Sequence, residues 1–193
     1  MSPQPPDSDW IVPPAPFSGQ IHLADYDPTW PAQYEAVAAR IRGAIGDTAV
    51  LLEHAGSTSV PGLPAKPVID IVLEVADTID EDAYVPPLED AGYMLRIREP
   101  DWFEHRMFKD TDPSVQVHVF AADSTEIVRM LAFRDRLRRH DDERLLYEKT
   151  KRELGARKWT FVQDYADAKG EVVEGIVARA LAEAEADMDP PAR

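Results

Sequence analysis

Cysteine is absent from this 193-residue chain, so no disulfide constrains the fold and no thiolate is available to a metal ion. The chain also has no run of about 18 apolar residues, and it therefore predicts no helix that crosses a membrane. Residues 1–19 lack the basic and apolar regions of a secretory signal. Together these absences predict a cytoplasmic protein that has no membrane attachment.

Positive charge is scarce as well. Lysine and arginine number 21 against 36 aspartate and glutamate residues, which leaves a net charge of −15. Proteins that bind a phosphate backbone need concentrated positive charge, so general nucleic-acid binding is not expected. An anionic membrane surface would repel the chain for the same reason. The composition favours a small ligand or a protein as the partner and leaves the oligomeric state open.

Proline-rich and polar ends frame a single predicted domain. Residues 1–19 hold many prolines and little apolar periodicity, which predicts a disordered tail, and the polar residues 187–193 predict a second one. Between them, residues 20–186 are enough to bury a sizeable core. A helix is predicted over residues 30–45, because apolar side chains recur there at helical spacing and Gly46 follows.

Hydrophobic periodicity also predicts the remaining elements. The sequence predicts a short edge strand over residues 20–24 and five further strands, over residues 49–55, 68–75, 93–99, 102–109 and 115–120. It predicts a helix over residues 78–91 that Pro86 and Pro87 interrupt. Three more helices are predicted after the last strand, over residues 124–140, 142–154 and 159–186. This order predicts an α+β fold with a C-terminal helical segment.

A glycine–serine pair stands where the first of these strands ends. Gly56 allows the backbone to turn closely beneath a ligand, and Ser57 with the N–H groups that follow, from Thr58 onward, suits a phosphate. Lys66 lies in the proline-rich loop beside this turn, and Asp70 lies on the next strand. The arrangement predicts a pocket for a small phosphorylated or nucleotide ligand.

Longer motifs resemble those of a known family. The stretches HAGSTSVPGLPAKPVIDI, VQVHVF and MLAFRDRLRRH, followed by Tyr147 with Lys149 and by Tyr165 with Lys169, resemble the GrpB family over residues 21–182. The resemblance implies a nucleotidyltransferase-like mixed sheet flanked by helices. It also implies a relation to the GrpB-like domains that are fused to dephospho-CoA kinase, but it implies no particular reaction.

The chain departs from the acidic pattern of that superfamily, in which an acid-x-acid pair and a third acid hold divalent metal. Val72 stands where the second acid is expected, and the strand that should carry the third acid has Gln116 and His118. Magnesium prefers several oxygen ligands, so Asp70 alone offers too few. The resemblance therefore implies a transferase-like fold and leaves transferase activity open.

Two histidines support a different hypothesis for the same place. If their strands are neighbours, His54, Asp70 and His118 meet, and this ligand set suits a transition metal such as Zn²⁺ or Mn²⁺ better than Mg²⁺. The same three residues are the candidates for catalysis. The alternative is that both histidines hydrogen-bond Asp70 in a structural or substrate-binding cluster.

Cations on later elements are candidates to bind the anionic ligand if the helices fold back over the sheet. In addition to Lys66, they are Arg106, Arg129, Arg134, Lys149 and Lys169. The alternative for each is a solvated or salt-bridged residue. Three functions remain open: a transferase of unknown substrate, a non-catalytic ligand-binding module, and an accessory or interaction domain.

Overall fold

A computed structural model describes residues 10–13, 16–111 and 114–188 of the chain. The described residues form seven strands: β1 (Gly19–Gln20), β2 (Leu51–Ala55), β3 (Ile69–Val75), β4 (Met94–Glu99), β5 (His105–Thr111), β6 (Ser114–Ala121) and β7 (Lys158–Trp159). They also form six α-helices: α1 (Trp30–Ile45), α2 (Val85–Asp90), α3 (Thr125–Arg139), α4 (Asp141–Gly155), α5 (Val162–Asp167) and α6 (Gly170–Met188). Of these helices in the described residues, none is long and apolar enough to span a bilayer.

Five of the strands form one mixed sheet in the order β2-β3-β6-β5-β4. β3 and β6 are parallel, whereas the other neighbours are antiparallel. β1 and β7 form a separate antiparallel pair, so the edge strand predicted over residues 20–24 is correct only at Gln20. The register aligns Ala55 with Asp70, Asp70 with Gln116, and Gln116 with Lys109, so these four residues follow one row across the sheet. The predicted α+β class with a mixed sheet and flanking helices is confirmed.

Different helices cover the two faces of this sheet, because successive side chains on each strand point to opposite sides. On one side, which we call the core face, Ile71 and Val117 pack with the buried residues of α1 and α2. The other side, which we call the cleft face, is partly covered by α3, whose Ile127 packs with Val72 and Phe120. Position 72 is therefore an apolar packing position and holds no metal ligand.

The sequence of α1 sets both of its ends. Pro31 stands in the first turn, where its missing N–H has no intrahelical partner to lose. Val37 and Ile41 lie one turn apart and are both buried against the core face. Gly46 then takes a φ of +54° and ends the helix. The helix predicted over residues 30–45 is confirmed.

The helix predicted over residues 78–91 is wrong in its start and in the effect of its prolines. α2 begins only at Val85, so Pro86 and Pro87 occupy its first turn instead of interrupting it. Proline is tolerated there because the first N–H groups of a helix have no intrahelical acceptor. The residues before it form a loop and a short 3₁₀ turn, Glu81–Ala83.

The single helix predicted over residues 159–186 is also wrong, because the chain divides it into β7, α5 and α6. β7 pairs with β1, and the Trp159 indole donates a hydrogen bond to the carbonyl of Leu154 at 2.8 Å. The Asp164 carboxylate then accepts the N–H of Phe161 at 3.0 Å and caps the start of α5. The break places α5 at the edge of the cleft face.

Part of the predicted N-terminal tail lies on the domain. Trp10 forms a β-bridge with Ile97, and the N–H of Ile11 donates to the carbonyl of Arg96 at 2.9 Å. At the other end, α6 extends to Met188, inside the predicted C-terminal tail. The N–H of Phe17 also donates to the carbonyl of Thr160 at 2.9 Å, and Gly19 belongs to β1. Residues 1–9, 14–15 and 189–193 of the predicted tails lie outside the described residues.

The strand predicted over residues 102–109 starts three residues later, at His105. The preceding turn contains Phe103 and Glu104, which take φ values of +53° and +50°. Backbone in this left-handed region cannot continue an extended strand, and it delays the start of β5.

Candidate functional site

The Gly56 turn fits closely beneath the carboxyl group of Asp70. β2 ends at Ala55, and Gly56 takes a φ of +64° before the 3₁₀ turn Ser57–Ser59. A Cβ atom at position 56 would lie 2.8 Å from both Cβ and Cγ of Asp70 and closer still to Oδ2. Glycine is therefore required here both by the left-handed backbone and by the space available.

His54 faces away from the rest of the predicted histidine–carboxylate cluster, which corrects that prediction. Its strand register pairs it with Ile71, so its ring lies on the core face and stacks on Tyr34 with centroids 4.8 Å apart. Thr58 Oγ1 donates to the carbonyl of Val68 at 2.9 Å and so accepts from His54 Nε2 at 3.1 Å. Burial, aided by neighbouring arginine charges, lowers the pKa of His54 to about 4. His54 and Thr58 thus brace the Gly-Ser turn as neutral groups.

Four lysines from different elements direct their charge at the carboxyl group of Asp70: Lys66, Lys109, Lys151 and Lys169. Burial raises the pKa of Asp70 to about 6, although all four positive charges oppose the shift. Burial also lowers the pKa of all four lysines, to about 7 for Lys151. Within the described part of the chain, none of these ammonium groups forms a salt bridge. The cluster therefore has four cationic groups for one carboxylate.

Aromatic rings position two of these lysines. The Nζ atom of Lys151 lies 4.9 Å from the ring centroid of Tyr147 and donates to the carbonyl of Pro64. The Nζ atom of Lys169 lies 4.6 Å from the ring centroid of Tyr165. A cation over an aromatic face is attracted by the ring quadrupole, so both ammonium groups are held without a carboxylate partner.

The turn, the carboxyl group and three of the lysines line a pocket of about 200 Å³, which we call the lysine pocket. A larger space of about 740 Å³ adjoins it, and we call this the tryptophan chamber because Trp10 and Trp102 line it. Lys66, Gln116 and Ala166 border both spaces. The two adjoining spaces together have the size of a site for a small organic ligand.

A chain of three side chains leads to Asp70 across the cleft face. Glu99 Oε2 lies 2.5 Å from His105 Nδ1, and His105 Nε2 lies 3.1 Å from His118 Nδ1. The remaining nitrogen of His118, Nε2, lies 4.0 Å from Oδ1 of Asp70. Burial, followed by the charges of His105 and Lys109, lowers the pKa of His118 to about 3. A neutral His118 is therefore held with one ring nitrogen toward Asp70.

Sequence reasoning missed Glu99, His105, Lys109 and Lys151 as members of the site. Alternation along β5 places His105 and Lys109 on one face, and the register puts Lys109 opposite Gln116. Lys151 follows Tyr147 by four residues, which is about one helical turn, so the two side chains share a face of α4. These periodicities are visible in the sequence, but the pairing of the strands is not.

Four predicted anion-binding cations lie elsewhere, which corrects their assignment. Arg129 pairs with Glu174 and Arg134 with Glu53, each at 2.7 Å. Arg106 lies on the core face with a side chain 8% exposed, and its Nε donates to Glu81 at 2.7 Å. Lys149 has a side chain 75% exposed, and its Nζ lies 3.9 Å from Glu153 one turn along α4. The other predicted phosphate contacts border the lysine pocket together with Asp70, namely Gly56, Ser57, Thr58, Lys66 and Lys169.

The residues of the cleft suit an anion better than a divalent metal. Of the predicted metal ligands, Asp70 and His118 share the cleft face, whereas His54 is on the core face. In the residues that the structure describes, no group of three or more His, Cys, Asp or Glu side chains is arranged to hold a metal ion. The four ammonium groups around Asp70 would also repel a divalent cation.

Known protein sequences are similar to this chain over most of its length. The family model described as GrpB protein matches residues 20–179. A UPF0157 protein of Halalkalibacterium halodurans is 53% identical over 167 residues, which cover 86% of each chain. A UPF0157 protein of Streptomyces coelicolor is 45% identical over 161 residues, which cover 83% of this chain and 84% of its own.

A solved structure resembles most of this chain, and a dephospho-CoA kinase resembles a shorter part of it. The crystal structure of the conserved protein GrpB from Enterococcus faecalis has a TM-score of 0.70 at 28% identity and covers 84% of this chain and 98% of its own. A shorter segment, 38% of this chain, is 42% identical to 19% of a dephospho-CoA kinase of Mycolicibacterium paratuberculosis. Sequence and fold agree, and the chain belongs to the GrpB family.

Proposed function

We propose that the lysine pocket binds the phosphate group of a small phosphorylated or nucleotide ligand. The observation that carries the proposal is the four-lysine cluster around Asp70, in which no lysine has a carboxylate partner of its own among the described residues. A phosphate presents several oxygens to ammonium groups and to the N–H groups of the Gly-Ser turn. Its negative charge would favour the charged form of every lysine in the cluster.

This pocket differs in sign from the rest of the chain. The net charge is −15, yet three lysines line this pocket with one carboxylate, and a fourth lysine, Lys109, acts on the same carboxylate. A positive site on a negative protein attracts a small anion locally, while the surrounding surface repels a long polyanion such as a nucleic acid. The partner that fits this charge distribution is therefore a small anionic molecule.

Isothermal titration calorimetry with pyrophosphate tests the proposal. Lys66→Met removes an ammonium group that makes no hydrogen bond within the described residues, so the fold should remain and binding should weaken about 10- to 100-fold. Lys149→Met is the matched control, because it removes the same charge from an exposed position on α4. The proposal fails if pyrophosphate does not bind, or if both variants weaken it equally.

A nucleotidyltransferase-like transferase is a second candidate function, and one observation favours it. The Glu99–His105–His118 chain ends 4.0 Å from Asp70, whose pKa burial raises to about 6. A carboxylate with a pKa near neutrality can accept the proton of a hydroxyl group while the hydroxyl oxygen bonds to the α-phosphorus and the bond from that phosphorus to the leaving diphosphate breaks. Membership of the nucleotidyltransferase-like superfamily and a cytoplasmic location belong to the same proposal.

Asp70→Asn separates binding from turnover. We expect the substitution to strengthen pyrophosphate binding several-fold, because it removes the one negative charge of the cluster, and to abolish any transfer activity. Calorimetry and a release assay for diphosphate from nucleoside triphosphates would measure the two effects. Binding without turnover in the wild type would instead favour a non-catalytic module or an accessory domain.

The divalent-metal prediction has its own test. Titrating the wild type with Mg²⁺, Mn²⁺ and Zn²⁺ in the absence of nucleotide measures any intrinsic affinity of the Asp70–His118 pair. On the charge argument we expect no binding at millimolar metal. A metal-binding signal that Asp70→Asn removes would show that the carboxylate serves a cation and would count against a pocket built for phosphate.

A further inference from the structure

The tryptophan chamber has features that a bound phosphate would not use. Its volume of about 740 Å³ exceeds the roughly 200 Å³ of the lysine pocket. Two indoles and three cations line it, from Trp10, Trp102, Lys66, Arg96 and Lys109. Such a mixture of aromatic surface and a few convergent polar groups is typical of the part of a site that recognises an organic group.

Arg96 lines this chamber and carries an unused donor. It lies at the irregularity of β4, where the register with β5 shifts between Leu95 and Ile97. Its Nε atom is buried and has no hydrogen-bond partner among the described residues. Its positive charge also acts on Lys109, whose pKa burial and then Arg96 lower. A ligand with hydrogen-bond acceptors would satisfy the donor and relieve the repulsion between the two cations.

Trp102 is held in a fixed position but is not covered. The next two residues, Phe103 and Glu104, adopt left-handed backbone conformations that non-glycine residues rarely take. The Trp102 ring lies nearly perpendicular to His105 at 5.0 Å and to Phe120 at 5.8 Å. Even so, 41% of the residue's surface remains exposed. A rigid, partly exposed indole is suited to stacking on a planar group.

Trp10 contributes from the N-terminal segment. Its β-bridge to Ile97 and the hydrogen bond from the Ile11 N–H to the carbonyl of Arg96 attach this segment to the edge strand. The segment therefore adds an aromatic side chain next to the residue with the unused donor. Because Trp10 precedes residues 20–179, it extends the site beyond the region that the family model matches.

We infer that the ligand is a nucleoside phosphate whose base occupies the tryptophan chamber while its phosphates occupy the lysine pocket, an inference that rests on the proposed phosphate site. A nucleobase offers a planar ring to Trp102 and ring acceptors to Arg96. Because Lys66 and Gln116 border both spaces, one molecule can extend from one into the other.

Calorimetry with ATP, GTP, CTP, UTP and tripolyphosphate tests the base and the phosphates separately. We expect at least one nucleotide to bind about tenfold more tightly than tripolyphosphate, which has the phosphates without a base. Trp102→Leu should remove most of that advantage and leave tripolyphosphate binding unchanged. Arg96→Gln should also remove most of it, and it should weaken tripolyphosphate binding slightly because it takes away a positive charge that acts on Lys109. Arg98→Gln is the matched control, because Arg98 lies on the same strand but pairs with Glu81 on the core face.

The outcomes distinguish this inference from the proposal on which it rests. If tripolyphosphate binds and no nucleotide binds more tightly, the base site is refuted and the phosphate site stands. If neither tripolyphosphate nor any nucleotide binds, both are refuted. Thermal unfolding reports whether each variant folds, and should Arg96→Gln not fold, Trp102→Leu carries the test because its side chain is partly exposed.

Discussion

The helix layer over the cleft face, which α3, α4 and α6 form, and the cleft beneath it differ in whether their cations have carboxylate partners. In the layer, each arginine of a large group has at least one carboxylate partner: Arg129, Arg134, Arg136, Arg138 and Arg179. In the cleft, four lysines surround one carboxylate and form no salt bridge within the described residues. The two regions are neighbours, so the difference does not reflect the overall composition of the chain.

This contrast separates cations that hold the fold from cations available to a ligand. A guanidinium paired with a carboxylate satisfies several donors in a fixed geometry, and loss of one partner leaves the other unpaired. A buried lysine without a carboxylate partner is held in an unfavourable environment, which its lowered pKa reports. Such groups cluster at functional sites because a ligand supplies the missing charge.

The largest expected effect comes from breaking the paired region. The Glu143 side chain is 8% exposed and accepts hydrogen bonds from Arg136 at 2.8 Å and from Arg179 at 2.7 Å. Glu143→Gln should therefore lower the free energy of unfolding by about 3 kcal/mol, measured by chemical denaturation. Glu174→Gln is the control, since its pair with Arg129 is exposed and should contribute about 0.5 kcal/mol.

Glu143→Gln should leave pyrophosphate affinity unchanged, because Glu143 does not line the lysine pocket. If the substitution weakens pyrophosphate binding as strongly as it weakens the fold, the two regions are not separable. An unchanged free energy of unfolding would show that the paired arginines do not stabilise the layer.

A smaller effect is expected where the fold and the site meet, at the Gly56 turn. Gly56→Ala and Gly62→Ala both place a side chain on left-handed backbone, at φ values of +64° and +78°. Only position 56 meets Asp70, whereas nothing lies within 4 Å of a Cβ at position 62. Gly56→Ala should therefore destabilise by about 1–3 kcal/mol more than Gly62→Ala and also weaken pyrophosphate binding. Equal denaturation midpoints for the two variants would show that Asp70 does not pack on the turn.

Much of the lysine pocket could be predicted because its residues lie close together in sequence. A glycine at the end of a strand, the serine after it and an acid on the next strand are local features, and the structure places Gly56, Ser57 and Asp70 at one pocket. Lys66 follows because its loop must return from one strand to the next. Local chemistry and a single strand pair are sufficient to place these four residues.

The register of the strands decides which side chains reach the site, and it could not be predicted from the sequence. Ala55 pairs with Asp70, so His54, one residue earlier, lies on the opposite face. Arg106 differs from His105 by one residue in the same way. Neither the strand order nor the pairing between distant strands is encoded in a short pattern, because both depend on which elements pack together.

The rotation of side chains around a helix explains why Lys151, and not the predicted Lys149, lies at the site. Two residues along a helix rotate a side chain by about 200°, which here separates an exposed position from one beside Tyr147. The irregularity at Arg96 is harder still to predict from the sequence, because a one-residue shift in β4 changes which side chains face the chamber. Sequence periodicity assumes regular elements, and the site is built partly where β4 is irregular.

The smallest expected effect is a pH dependence that belongs to the cleft and not to the paired arginines. As pH rises, Asp70 ionises near its pKa of about 6 and Lys151 loses its proton near its pKa of about 7. Both changes make the cluster less positive, so sulfate affinity should fall about tenfold from about pH 5 to about pH 8. Sulfate is the suitable probe for calorimetry because its own charge is constant over this range.

Variants of Asp70 and Lys151 separate the contributions of the two groups to this pH dependence. Asp70→Asn should remove the lower part, around pH 6, and Lys151→Met should remove the upper part, around pH 7. Glu143→Gln should retain both parts, because the arginines it affects keep their charge throughout. If sulfate affinity in the wild type is the same at about pH 5 and about pH 8, the lysines and Asp70 do not act on the bound anion. The difference between paired and unpaired cations would then be one of packing alone.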